Sequence, residues 1–459
     1  MLRLLLPLAL SSLAMAADLD GEVGRILAGV PRGGLAGVAI TDLMTGERLV
    51  ARNAARPLAL ASTTKALVAA ATLTQFGPAF QLKTRVHALG PVKDGGVPGL
   101  GIIGGGDPCL DGHFTDDEPE RIFAGWADTL RKQGVGRIDG DIVIDGRLFG
   151  GPIRPTTYPQ DQDNQQRWYS APASAFAWND NCIEVRVVPS RVGEPAVVEV
   201  RPRSARITVE NRARTVAGKG DKAIFVTRAL DANAVTVTGN YSQATPWFPL
   251  AIHQDPELLA GDQVRASLIA AGIAVSGQVR LGAVDPRGAV LVEHTSPLVP
   301  AVTLMNQHSQ NFYGEQFLRL LGFMRYREGS IAAGSRATTE VLARLIGPLA
   351  NEIHLVDGSG LSYDNEGSAG AMCAVMVAMH RSPLQQVFYD SLKVKDVGKA
   401  KGRVKTGTLA IATCLVGYVD PPSGGRYAFA MLFNRGESRD FGWAPKIREQ
   451  IYRTLAESR

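Results

Sequence analysis

Cysteine and histidine are scarce in this chain, with four and seven copies in 459 residues. No HExxH run occurs, and the cysteine spacings match no zinc site, so no metal centre is expected. Beyond the first 13 residues, no stretch approaches the ~20 continuous apolar residues of a membrane span. No basic run is interleaved with aromatics, which argues against nucleic acid as a partner. The glycine run Gly104-Gly105-Gly106-Asp107 lacks the G-K-[ST] ending and the following helix of a phosphate cradle, and reads as a turn. Internal repeats and low-complexity tracts are absent as well.

What is present begins with a leader. Arg3 precedes a short apolar run ending near Leu13, and Ala14-Met15-Ala16 fits a small-x-small cleavage pattern. Residues 1–16 therefore read as a secretory signal peptide, and the mature protein is expected to be exported to the periplasm. A hydrophobic content of 45% with 20% charged residues is ordinary globular composition. The length suggests about three domains of ~150 residues. The net charge of +5 is mildly basic, compatible with an anionic surface such as a cell wall or with charges spread evenly in solvent. In an exported protein the four cysteines allow disulfides, and Cys109 with Cys182 is the preferred pair, while Cys373 and Cys414 lie in apolar runs.

Two strand-like runs, Leu35 to Leu43 and Arg48 to Arg52, lead into an Ala-rich helix that stops at Phe76-Gly77-Pro78. Short β-like runs then dominate, with helical patterns at Pro119–Gln133 and Asp262–Ala271. Helical periodicity returns over Ala301–Arg325, Ser335–Ile346, Ser368–Met379 and Leu384–Leu392. Two closing strands, Gly402–Tyr418 and Tyr427–Phe433, precede a last helix near Ala444–Ala456. Its basic segment Lys446 to Arg453 suits packing on the sheet better than lying on a membrane surface. The pattern predicts an α+β fold: one antiparallel sheet built from both chain ends and flanked by helices. Residues 17–80 and 288–459 would form this domain, interrupted by a β-rich insertion, 81–287, of one or two domains.

Three short motifs carry chemistry. Ser62-Thr63-Thr64-Lys65 opens the Ala-rich helix, and positions i and i+3 share a face, so Lys65 can reach the Ser62 hydroxyl and take its proton. Alone, S-x-x-K arises by chance about once in such a chain. Ser309-Gln310-Asn311 and Lys405-Thr406-Gly407-Thr408 follow in order, each occurring once.

With Gly104–Pro108, Tyr169–Ala175, Asn179-Asp180-Asn181-Cys182 and Asp357-Gly358-Ser359-Gly360-Leu361-Ser362, these motifs resemble the D-alanyl-D-alanine carboxypeptidase/endopeptidase family of penicillin-binding protein 4 type. The resemblance spans nearly the whole mature chain, and the long interval between Ser62 and Ser309 is where that family carries extra domains. It implies an antiparallel five-stranded sheet of DD-peptidase/β-lactamase type and a serine DD-carboxypeptidase, with DD-endopeptidase activity on crosslinks, acting on peptidoglycan stem peptides that end in D-Ala-D-Ala. β-Lactams would be covalent inhibitors, and no cofactor is implied. Ser62 would be the nucleophile and Lys65 its base, kept neutral by burial and by Lys405 nearby. Ser309 would relay a proton to the leaving amine and Asn311 hold the substrate amide. Lys405, Thr406 and Thr408 would take the terminal carboxylate, with Gly407 between them, and backbone N–H groups of Ser62 and Thr408 would form the oxyanion hole. Asp180 and Ser359 are further candidates for substrate contact. Tyr363 stands where the family often has a basic residue, which would alter specificity. A β-lactamase and a non-catalytic wall-binding protein are the competing readings. The long insertion argues against the first and the intact motifs against the second.

Overall fold

The computed structural model describes residues 18–229 and 232–458. The expected signal peptide lies outside the described residues. No described helix is long and apolar enough to cross a membrane. The described residues form two compact units, 18–80 with 297–458, and 81–296.

The first unit is built on a six-stranded antiparallel sheet. Its strands are β1 (Leu35–Asp42), β2 (Arg48–Arg52), β3 (Lys393–Val394), β4 (Lys401–Leu409), β5 (Ala412–Asp420) and β6 (Tyr427–Asn434), in the order β2-β1-β6-β5-β4-β3. Both ends of the unit meet at its centre, where Leu35 pairs with Asn434 and Asp42 with Tyr427. The two-residue edge strand β3 adds one strand to the five expected. The expected single strand from Gly402 to Tyr418 is a hairpin, β4 and β5, turning at Ala410-Ile411.

Every residue of β6 is buried. Burial on both faces explains why it reads as an unbroken apolar run rather than an alternating one. Tyr427, Phe429, Met431 and Phe433 join one core with Ile447, Ile451, Tyr452 and Leu455 of the C-terminal helix and with Leu19 and Val23 of a helix that includes residues 18–27. The C-terminal helix thus packs on the sheet. The alternate β6 positions include Ala428 and Ala430, whose small side chains let helices approach closely.

Further helices of the unit include α1 (Thr64–Phe76), α2 (Leu298–His308), α3 (Asn311–Tyr326), α4 (Ile331–Ile346), α5 (Ala369–Arg381) and α6 (Trp443–Ala456). Ser368 caps α5 by accepting from Ala371 N at 2.9 Å. α5 is tied to the sheet where Tyr418 Oη donates to Met376 O at 2.7 Å and Cys373 Sγ donates to Ala428 O at 3.5 Å. α1 is buried on all sides from Thr64 to Leu73, as its alanine-rich composition permits. The helix expected over Ala301–Arg325 is two helices, α2 and α3, broken at Ser309-Gln310. At the edge of this unit, Leu298 N donates to Phe80 O at 3.1 Å, so the two points where the chain leaves and re-enters it are adjacent.

The second unit runs to Ser296, past the expected 287, because the strand Val290–Pro297 pairs beside Gln81–Ala88 in its five-stranded sheet. Among the described residues its two larger hydrophobic clusters are separate. One gathers Phe123, Trp126, Phe176 and Trp178 with the sheet residues Leu100, Ile102, Ile142 and Ile144. The other is built mainly from strands, around Ile183, Val185, Val187, Val235, Val237 and Tyr241, with Leu259 added from a helix. The helix Pro256–Ala270 begins earlier than its apolar pattern suggests, opened by proline at its first position. Cys182 is a buried free thiol whose Sγ donates to Asp180 O at 3.6 Å, so the expected bridge to Cys109 does not form.

Candidate active site

Ser62 lies in a 3-10 turn, Ala61–Thr63, that runs directly into α1. Ala61 before it has φ +48°, a left-handed conformation costing a residue with a Cβ about 1–2 kcal/mol. The turn leaves Ser62 partly exposed and places Lys65 one turn behind it, fully buried. Lys65 Nζ donates to Ser62 Oγ at 3.0 Å, to Asn311 Oδ1 at 2.6 Å and to Ser359 O at 2.5 Å.

Ser309 ends α2 with φ +59°, and Asn311 opens α3. The break lets Ser309 Oγ meet Lys405 Nζ at 2.9 Å; Lys405 also donates to Thr406 O at 2.8 Å. Three distant sequence segments therefore converge on two buried lysines. Along β4, Lys405 and Gly407 are buried while Thr406 and Thr408 are exposed.

Burial pushes Lys65 down from 10.5 to about 7, and the negative charges of Asp357 and Glu315 oppose that fall. Of the two expected causes, burial and repulsion from Lys405, burial is the one that lowers Lys65. Burial also holds Lys405 well below its ordinary value, and repulsion from Lys65 and Lys393 adds to it. A neutral lysine has two N–H bonds and one lone pair. With Asn311 Oδ1 and Ser359 O accepting the two N–H bonds, the lone pair points at Ser62 Oγ. This arrangement can withdraw the serine proton near neutral pH.

Ser359 enters the site through its carbonyl. Its hydroxyl is turned into its own loop, donating to Asp357 Oδ1 at 3.2 Å and accepting from Leu361 N at 3.2 Å. Tyr363 is 41% exposed just beyond that loop. Asp180 lies in the second unit, in a left-handed turn with φ +53°, where its Oδ2 stands 3.1 Å from His113 Nε2. The hydrogen bond to Asp180 raises His113 from 6.5 to about 9. Among the described residues, Asp111, His113 and Asp180 are the group that could hold a metal ion, their ligand atoms lying within 4.8 Å of one another. Glu315 escaped the sequence reading of the lysine site, and Asp357 entered it only as the first residue of the 357–362 motif. The signal available for Glu315 was a carboxylate four residues after Asn311, on the same helix face.

Residues 19–457 match the D-Ala-D-Ala carboxypeptidase 3 (S13) family. The chain belongs to this family. It is a serine-type D-Ala-D-Ala carboxypeptidase, a hydrolase of the peptidoglycan-acting DD-peptidases. Among S13 relatives, the D-alanyl-D-alanine carboxypeptidase of Actinomadura sp. (strain R39) is 30% identical over 482 residues, covering 98% of this chain and 86% of that one. Penicillin binding protein 4 from Haemophilus influenzae shares the fold with a TM-score of 0.80 at 21% identity, over 95% of this chain and 99% of that chain. A predatory peptidoglycan endopeptidase from Bdellovibrio bacteriovorus gives a TM-score of 0.51 at 16% identity, over 92% of each chain.

Proposed function

We propose that Ser62 is the acylated nucleophile of an exported, periplasmic carboxypeptidase that trims stem peptides ending in D-Ala-D-Ala. The observation that carries this reading is the buried amine of Lys65, within hydrogen-bond reach of Ser62 and titrating near neutrality. Neutral Lys65 takes the proton as Ser62 Oγ attacks the carbonyl of the penultimate D-alanine. The tetrahedral oxyanion is met by the backbone N–H groups of Ser62 and Thr408, each such donor being worth about 3 kcal/mol. Ser309 passes a proton to the departing D-alanine amine, and water then hydrolyses the ester and restores Ser62.

Asn311 holds the substrate amide as well as Lys65. Lys405, Thr406 and Thr408 take the terminal carboxylate, whose negative charge offsets the burial and repulsion acting on Lys405. Gly407 keeps β4 close to the serine turn. Tyr363, at the loop where a basic residue is common, bears on which stem peptide is accepted, and Asp180 on a charged group of that peptide. The same acyl transfer opens a crosslink when the leaving amine belongs to a second peptide, which makes DD-endopeptidase activity part of the proposal. A β-lactam acylates Ser62 and stays, because its leaving nitrogen remains tethered.

Fluorescent penicillin should label the wild type and not Ser62→Ala. Mass spectrometry should find D-alanine released from monomeric muropeptides and monomers released from crosslinked ones. Full labelling of Ser62→Ala would sink the assignment, and intact crosslinked substrate would remove the endopeptidase part.

A further inference from the structure

Two buried carboxylates stand behind Lys65, and none of the acyl-transfer steps uses them. Glu315 is 1% exposed and Asp357 0%. Glu315 follows Asn311 by four residues, so both side chains leave one face of α3. Asn311 Oδ1 accepts from Lys65 directly. Glu315 Oε1 instead accepts from the backbone N–H of Gly358 at 2.9 Å and of Ser359 at 3.0 Å. Asp357 Oδ1 accepts from Ser359 N at 2.9 Å and Gly360 N at 2.5 Å, and its Oδ2 from Ser362 N at 2.8 Å. Buried N–H groups are thereby satisfied by ionisable acceptors, which bind them more strongly than neutral ones.

α3 and this loop touch through glycines. A Cβ on Gly314 would stand 2.5 Å from Gly358 O, and one on Gly358 2.1 Å from Gly314 O. That approach brings the loop amides within reach of Glu315, and it fixes the Ser359 carbonyl that receives a Lys65 N–H. The charged groups facing Lys65 are Asp357 and Glu315 on the loop and α3, and Lys405 on β4, with Lys393 beyond Lys405.

We propose that Glu315 is a positioning residue for the proton transfer: it clamps the 357–362 loop so that Ser359 O orients Lys65, and together with Asp357 it supplies the negative charge that tunes this buried amine. A base works best when its pKa lies near the operating pH, and burial alone would carry a lysine past that point. The proposal rests on the reading of Lys65 as the base of acylation.

The test is the second-order rate of acylation by a fluorescent penicillin, measured on the full chain from about pH 5 to about pH 9. Glu315→Gln keeps an oxygen for both amides and removes the charge. Its acid limb should move to lower pH by about half a unit or more, because a buried positive charge loses a favourable neighbour. Gly314→Ala keeps both charges and displaces the loop, and its plateau rate should fall at least about tenfold. An unmoved acid limb in Glu315→Gln, or a wild-type plateau in Gly314→Ala, overturns the proposal. Should Glu315→Gln fail to fold, Gly314→Ala decides alone by the same criterion. A wild type with no acid limb near neutrality refutes the role of Lys65 itself, a separate failure.

Discussion

Gly407→Ala isolates the contact between β4 and the serine turn. A Cβ at Gly407 would stand 2.9 Å from Leu60 O and 3.0 Å from both Ser62 N and Thr63 N, where ordinary contact begins at 3.4 Å. All three atoms are backbone, so no side chain can swing away. Relief requires β4 and the turn to part by roughly half an ångström, at a site where a misplacement of about 1 Å costs about 100-fold. Ser62 N and the neighbouring Thr408 N are the two proposed oxyanion donors, and losing one outright costs about 10²–10³ in rate. Partial displacement should lower acylation by about 10- to 100-fold. Overpacking of this kind destabilises by about 1–3 kcal/mol, partly offset by the chain entropy that glycine gives up. The assay is stopped-flow acylation by a chromogenic β-lactam beside thermal melting of the same samples. An acylation rate within about threefold of wild type, in a variant that melts normally, would refute the claim that this contact sets the oxyanion geometry.

Ser309 occupies a left-handed position, so Ser309→Gly should be more stable than Ser309→Ala by about 1 kcal/mol in urea unfolding, while both lose activity. His113 should titrate near 9 by NMR and return toward its ordinary 6.5 in Asp180→Asn. Because its folded value is raised, the stabilisation from this pair is complete below pH 6.5 and disappears as pH climbs through about 9. Ser368→Ala removes the cap of α5 and should cost about 1 kcal/mol by chemical denaturation, with acylation chemistry unaltered.

The chemistry was legible in the sequence where local rules and function coincide. Ser62 and Lys65 share one helical turn, and Gly77 closes that helix as its side-chain-free backbone allows. The break at Ser309 was not legible. Periodicity runs through His308-Ser309-Gln310 without glycine or proline, and the left-handed serine accompanies a tertiary hydrogen bond with Lys405. The hairpin at Ala410-Ile411 is equally silent, since an apolar turn between two buried strands carries no turn residue. Asp357 and Glu315 are ordinary acids in sequence, and only the packing of α3 against a loop far along the chain gives them a lysine to act on. The pairing of Cys109 with Cys182 was what remained once Cys373 and Cys414 read as buried hydrophobes, and Cys182 is a small buried side chain as well.

The hydrogen bond between Leu298 N and Phe80 O bears on how the molecule is made. Ser62 and Lys65 emerge in synthesis well before Lys405 and β6, and β1 cannot be paired by β6 until that strand is made. Holding the two halves of the sheet together across a flexible segment as long as residues 81–296 would cost about 5 kcal/mol in loop closure. A segment that folds by itself into a compact unit, with its ends side by side, removes most of that cost before the last strand arrives. The insertion then works as a clasp, and an unfinished chain holds the serine and its base without the strand that lines them. Such a chain should not acylate, and activity is expected only with the closing of the last strand of the sheet.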